Sequence, residues 1–306
     1  MKMAILCWKG VNMSQAGNSN DITRNYLDSL LIETRYLNGT NPDTTFTLYG
    51  ETFASPIMTA ALSHLTQMGE GGMAEGIAKG ALSAGCLMWY GAAEEDEIQM
   101  LSDTGVHLIE IIKPYKNRDL ICKKIKHAES LGLLAVGIDI DHPYANDGSP
   151  DIVDGEELKT LTGEELADIV NSTQLPLIAK GVLSLHDAEI SLQAGVKGMV
   201  LSHHNNRIEY AIPPVYILPE IAKMAGEDVP VFVDGMIQSG MDAFKAIALG
   251  AKGVCIGRPL MAAYTKGKEQ GVCEYLQKKR DELAKAMAYT GCTDLGKMDP
   301  SVIHRI

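Results

Sequence analysis

From residue 54 onward, short apolar runs alternate with longer stretches whose apolar positions recur every three or four residues. The first kind reads as buried strand and the second as amphipathic helix. Strands are predicted over 55–58, 86–90, 108–112, 135–140, 175–180, 198–202, 229–234 and 253–257. Helices are predicted over 73–84, 94–102, 118–131, 163–171, 184–194, 215–225 and 241–249. Four helical runs stop on a glycine (Gly85, Gly132, Gly195, Gly250), and a strand follows soon after. Glycine accepts the left-handed turn that ends a helix, so the pattern is a repeated βα unit. Eight such units within roughly 200 residues, with strands apolar on both faces, predict an α/β fold of the (β/α)8 TIM-barrel type. No GxGxxG opens the first unit, which counts against a Rossmann domain.

Three stretches fall outside the repeat. Residues 1–53 are expected to form a leader covering part of the barrel, with 54–306 as the barrel itself, one domain overall. Residues 142–161, rich in Asp, Gly and Pro, form an insertion over the face where strands end; a lid and a disordered surface loop are both open. The tail carries a charged amphipathic helix over 272–287, expected to pack on the barrel.

Composition narrows the partners. The chain has 306 residues, 46% of them hydrophobic, enough for a large buried core. Its net charge of -12, with Lys and Arg scattered, argues against nucleic acid or an anionic membrane surface. Six widely spaced cysteines without a CxxC pair suggest a reducing, cytoplasmic compartment. No apolar run reaches membrane-spanning length, and the first eight residues are too short for a signal peptide. No metal-binding motif is read.

Polar residues cluster where strands end: Asp139 and Asp141, Lys180, Ser202 to Arg207, Asp234, and Gly257-Arg258. In a TIM barrel those positions share the catalytic face. The stretch Ser202-His203-His204-Asn205-Asn206-Arg207 holds an imidazole that can take a proton and a guanidinium that can hold a carboxylate bidentately. A carboxylate such as Asp141 would fix the tautomer of His204. His142 reads as a solvated loop histidine. Lys180, inward on a barrel strand, suits a Schiff base, a cation beside a redox ring, or an ion pair with Asp139 or Asp141. Strand–turn–helix patterns at Asp234-Gly235 and Gly257-Arg258 suit a phosphate after the last two strands.

These stretches, with Pro56-Ile57-Met58, Ile178 to Leu183 and Ala246 to Lys252, resemble the FMN-dependent α-hydroxy-acid oxidases and dehydrogenases over roughly residues 44–300. The resemblance implies FMN and oxidation of a small-molecule 2-hydroxy acid to a 2-oxo acid. It implies His204 as base, Asp141 as its support and Arg207 as the substrate-carboxylate clamp. Lys180 would lie near the flavin N1–C2=O edge, Ala60 and Ala61 along the ring, and Asp234, Gly235, Gly257 and Arg258 at the ribityl phosphate. Ser202, Glu110, Asp139 and Gln238 fall at further cofactor-side positions. A homo-oligomer, a tetramer in the family's manner, is also implied.

The departures from the family pattern are specific. Ser-Asn-His-Gly is here Ser202-His203-His204-Asn205, which makes His203 a candidate contact for an unusual substrate. Gly235 is followed by Met236, and Gln238 stands where an arginine is expected. The Gln-x-Tyr of the third strand has no clean match: Glu110 or Ile111 takes the glutamine position, and Ile112 or Lys113 the tyrosine. The leader tyrosine is missing from Met13-Ser14-Gln15-Ala16-Gly17, the second strand is followed by Gly91-Ala92, and Asp139 replaces a threonine. The substrate is therefore expected to differ from glycolate or lactate. Other readings are a flavin barrel of the type 2 isopentenyl diphosphate isomerase kind, a cofactor-free sugar-phosphate isomerase or aldolase, and a non-catalytic flavin- or metabolite-binding barrel.

Overall fold

A computed structural model describes residues 16–37, 39, 41–65 and 72–306. Eight parallel strands form its central sheet: β1 (Ile57–Thr59), β2 (Met88–Gly91), β3 (Leu108–Ile112), β4 (Ala135–Asp139), β5 (Leu177–Val182), β6 (Gly198–Leu201), β7 (Val231–Asp234) and β8 (Gly253–Ile256). The sheet runs β1-β8-β7-β6-β5-β4-β3-β2. It closes between β1 and β2, where the Trp89 N–H donates to Thr59 Oγ1 at 2.9 Å and the Gly91 N–H to the Leu62 carbonyl at 3.0 Å. Closure leaves no exposed strand edge, and every strand is buried on both faces, as the continuous apolar runs require.

Helices α1 (Met73–Ser83), α2 (Glu95–Asp103), α3 (Arg118–Ser130), α4 (Gly163–Asn171), α5 (Leu185–Gln193), α6 (Pro214–Ala225), α7 (Gly240–Ala248) and α8 (Arg258–Tyr289) surround the barrel. The helix expected over 272–287 is the second half of α8, which kinks at Gly267 and Lys268. The barrel interior holds Met58, Trp89, Ile109, Ile111, Ile178, Val200 and Phe232. Trp89 and Phe232 meet edge to face, with centroids 5.3 Å apart. The residues between them in sequence, such as Leu108, Ile112 and Met199, belong to the outer layer beneath the helices. No described helix is long and apolar enough to cross a membrane.

The leader caps both ends of the barrel. Its hairpin, Phe46–Leu48 with Glu51–Phe53, puts Phe46, Leu48 and Phe53 into the interior cluster, and the Tyr49 hydroxyl donates to the Lys197 carbonyl at the start of β6. That plugs the end where strands begin. The leader helix Ser19–Ser29, capped by Asn18, crosses the opposite end and reaches the loops after β6 and β7. The insertion at 142–161 is an ordered element. It carries a short hairpin, Ile152–Val153 with Glu156–Glu157, tied down where the Lys116 N–H donates to the Glu157 carbonyl at 2.8 Å.

Candidate active site

The strand ends carry the expected polar cluster, and the geometry divides its members into three groups. At the centre, His204 Nδ1 lies 2.9 Å from Asp141 Oδ1 and 3.5 Å from Asp139 Oδ1. A carboxylate on Nδ1 makes that nitrogen the donor and leaves Nε2 to accept a proton. Burial and the neighbouring Asp139 push the Asp141 carboxyl up, and its Oδ2 is buried without a hydrogen-bond partner among the described residues. Asp141 rests against Gly181, where a Cβ would come within 2.1 Å of its Cγ; this glycine also has φ +95 at the bulge that ends β5. No other residue fits both constraints.

The backbone beneath the histidine is strained. His204, Asn205 and Asn206 all have left-handed φ, at +47, +57 and +66. Such a conformation costs about 1–2 kcal/mol per residue outside glycine, less for Asn. Local and leader contacts hold it. Ser202 Oγ accepts the His204 N–H at 3.0 Å, Asn206 Oδ1 accepts the Ser19 N–H at 2.6 Å, and Asn205 Oδ1 accepts from Asn20 Nδ2 at 3.1 Å.

The second group is a buried charge triad. Asp139 accepts from Lys180 Nζ at 2.8 Å and from Lys113 Nζ at 2.5 Å, and all three side chains are nearly inaccessible. Burial pushes the Asp139 carboxyl up, but the two lysines outweigh it and hold it well below the usual range. Burial works against the Lys180 ammonium too, yet Asp139 and Asp141 raise its pKa. A lysine held so firmly as a cation is unsuited to a Schiff base, which needs the free amine.

The alternation along β3 settles which residues replace Gln-x-Tyr. Ile109 and Ile111 face the interior and Leu108 and Ile112 the helices, so Ile111 takes the glutamine position and Lys113 the tyrosine position. Glu110 is accordingly not on the cofactor side. It lies between the sheet and the helices, buried to 2% exposure, with Lys124 of α3 and Glu95 of α2 as its charged neighbours. Burial raises its carboxyl to about 7.

The third group joins the insertion to the base. His142, expected in solvent, is inside the site: Nδ1 accepts from Lys113 Nζ at 2.7 Å, so Nε2 carries the proton and donates to Asp151 Oδ2 at 2.8 Å. Burial, then Lys113 and Arg207, lowers its pKa to about 4, keeping the ring neutral. Its ring stands edge-on to His204, with centroids 5.0 Å apart. Arg207 donates through Nη2 to Asp151 Oδ2 at 3.1 Å and to the Tyr144 carbonyl. Its guanidinium thus faces the mouth already holding one carboxylate of the protein. Lys113, His142 and Asp151 are the site residues that sequence reasoning left out or unassigned. Period-two alternation from Leu108 would have found Lys113, whereas nothing local marks Asp151.

His203 is not a substrate contact. It is 4% exposed, its Nδ1 accepts the Asn206 N–H at 3.2 Å, and its Nε2–H donates to Thr23 Oγ1 of the leader helix at 3.0 Å. Burial lowers its pKa. The extra imidazole fastens the leader to the base loop.

Several features fit a bound FMN. Gly235 has φ +132, and a Cβ there would sit 3.4 Å from His203 Nε2; a Cβ on Gly257 would meet that of Ala60 at 3.3 Å. Arg258 opens α8, is exposed, and among the described residues faces no carboxylate, only Met236 Sδ at 4.0 Å. An exposed cation beside helix N–H groups and glycine turns has the chemistry a phosphate needs. The buried Lys180 and the orphaned Asp141 Oδ2 supply a cation and a free acceptor further in. Ala60 and Ala61 follow β1, with the Ala60 N–H already donated to the Ile256 carbonyl at 2.8 Å, so that amide is spent on the pairing of β1 with β8. Ser202 Oγ lies 3.4 Å from Asp234 Oδ2. Gln238 has an exposed side chain and uses its N–H on Asp242, which Arg24 of the leader neutralises; that turn offers no second cation.

Comparison with known proteins agrees with this architecture. The spinach (Spinacia oleracea) glycolate oxidase is 30% identical over 92% of this chain and 86% of its own length. A glycolate oxidase of Zea mays is 28% identical over 84% of this chain and 79% of its own. Among solved structures, mandelate oxidase with (S)-2-phenylpropionate superposes with a TM-score of 0.84 at 25% identity, covering 96% of this chain and 91% of that one. Residues 11–159 and 151–305 match the FMN-dependent dehydrogenase family, so nearly the whole chain is accounted for, and the protein belongs to that family.

Proposed function

We propose that this chain uses FMN to oxidise a 2-hydroxy acid to the 2-oxo acid, with His204 as the base. The observation that carries the reading is the His204–Asp141 pair, 2.9 Å apart, beside the buried Lys180 cation. Nε2 of His204 takes one of the two hydrogens lost from the substrate's CH–OH group as a proton, the ionised Asp141 stabilises the imidazolium that results, and the other hydrogen leaves with the electron pair for the acceptor. Arg207 receives the substrate carboxylate, sharing its guanidinium with Asp151 or displacing that side chain. FMN, when bound, supplies the two-electron acceptor. Arg258 with the Gly235 and Gly257 turns would hold its phosphate, and Lys180 its pyrimidine edge.

The intact base pair argues against a non-catalytic barrel. Lys113 in the tyrosine position supports a 2-hydroxy acid other than glycolate, because a cationic amine held by Asp139 replaces a neutral phenol. A cytoplasmic setting is supported by the five described cysteines, all free, and assembly into a homo-oligomer by the family membership.

The purified protein is expected to be yellow. Anaerobic addition of 2-hydroxy acids of graded size and polarity should bleach it with the true substrate. A protein that takes up no flavin, or a flavoprotein that no 2-hydroxy acid bleaches, overturns the proposal.

A further inference from the structure

We infer that Lys113 is a second cation serving the flavin, one that offsets Asp139 so that the Lys113–Asp139–Lys180 cluster keeps a net positive charge at the strand ends. The inference deepens the reading above and rests on it, since it concerns the same site once FMN is bound. Asp139 gives one oxygen to each lysine, Oδ1 to Lys180 at 2.8 Å and Oδ2 to Lys113 at 2.5 Å. Burial lowers the Lys113 pKa and Asp139, 2.5 Å away, opposes it; with both lysines as ammoniums the three side chains, 8%, 2% and 6% exposed for Lys113, Asp139 and Lys180, carry one positive charge in excess.

Two more carboxylates face the cluster: Asp141 acts on both lysines and Asp234 on Lys180. His142 is neutral, and the ionised Asp141 is shared with His204, so Asp139 and Asp141 together would outnumber Lys180 were Lys113 not a cation. Asp151 is spent on Arg207 and His142. With Asp139 alone in place of a neutral residue, Lys180 would be matched one to one and its field at the ring would vanish. Lys113 restores it. The sequence shows both departures, an aspartate on β4 and a lysine beyond β3, and the 2.5 Å contact makes them one compensated change.

The charge stabilises whatever negative charge the ring acquires. Its test is sulfite, whose sulfur lone pair forms a bond to flavin N5 while the displaced electron pair settles on the N1–C2=O edge. The holoenzyme of wild type, Lys113→Met, Lys113→Arg and Asp139→Asn is titrated with sulfite by visible absorbance, and two-electron midpoint potentials are recorded alongside. Lys113→Met should weaken sulfite binding tenfold or more and lower the potential by about 30 mV for each tenfold. Lys113→Arg should hold close to wild type. Asp139→Asn, which frees both ammoniums, should tighten sulfite binding. Opposite signs for the two neutralising variants cannot come from mere loosening of the site. If Lys113→Met does not fold, Lys113→Gln and the sign of Asp139→Asn decide. Sulfite affinity within twofold of wild type, or a shift of both neutralising variants in one direction, overturns the inference while leaving FMN in place. A wild-type protein that takes up no flavin overturns the functional reading and the inference with it.

Discussion

Replacing Asp141 by asparagine keeps the shape of the His204 support and removes its charge. Asparagine can still meet Nδ1, so the loss is confined to stabilisation of the imidazolium formed when Nε2 takes the proton. With Nδ1 2.9 Å from the carboxylate oxygen, the charge centres lie about 4 Å apart, and an effective dielectric near 20 gives about 4 kcal/mol. Both side chains are partly accessible, at 24% and 18%, which brings the figure nearer to about 3 kcal/mol. The expected loss in flavin reduction is therefore about 10²- to 10³-fold. It is measured by anaerobic rapid mixing of holoenzyme with the substrate that bleaches the wild type. Because burial and Asp139 raise the Asp141 carboxyl, the wild-type rate should fall on the acid side at a pH above the ordinary carboxylate range. In Asp141→Asn the limb should move, because His204 then gains its proton without the neighbouring carboxylate. A variant that bleaches within fivefold of wild type with an unchanged pH profile would show that the histidine works without the aspartate, and the role given to Asp141 would fall.

Two further outcomes follow from the same geometry. Arg207→Lys keeps the charge and loses the fork, so KM for the substrate acid should rise about tenfold with kcat less affected; an unchanged KM in steady-state assays removes Arg207 from the site. Glu110 has an ordinary value of 4.5 and a folded value of about 7, so the folded state holds its proton more tightly. Its stabilising contribution is full below pH 4.5 and is lost as pH rises through 7, in total about 3 kcal/mol. Glu110→Gln should match wild type in thermal stability near pH 4.5 and exceed it at pH 8, and equal melting curves at pH 8 would refute this.

The fold was legible because a closed parallel barrel writes itself as apolar runs at regular spacing, and no strand is missing from the eight expected. The gathering of His204, Asp141, Arg207 and the two glycine turns at one end of the barrel was legible because each follows a strand directly. What escaped depends on direction and distance. Whether residue 110 or 111 faced inward turned on a one-residue register, and only the side-chain alternation of Ile109 and Ile111 fixed it. His142 and Asp151 sit in an insertion without periodicity, and their roles come from partners elsewhere: Lys113 is 29 positions away from His142, and Arg207 is 56 from Asp151. His203 misled for the opposite reason. Its neighbour is catalytic in type, but an adjacent side chain in an irregular turn points elsewhere, here to the leader helix.

That leader contact explains how a strained loop can hold a base. Three consecutive left-handed residues do not persist without support, and the support comes from residues 180 or more positions earlier: Ser19 and Asn20 on Asn206 and Asn205, and Thr23 on His203. Thr23→Val leaves the buried Nε2–H of His203 without an acceptor, at a cost of about 1–3 kcal/mol. Tyr49→Phe removes a hydrogen bond of the same leader at the other end of the barrel, where the hydroxyl donates to the Lys197 carbonyl at 2.6 Å. Both variants should lower the melting temperature. Only Thr23→Val should also slow flavin reduction, because only its contact bears on the backbone that aims His204. Equal slowing in both, or none in Thr23→Val despite a lower melting temperature, would mean the base loop keeps its left-handed turn unaided and that the strap serves stability alone.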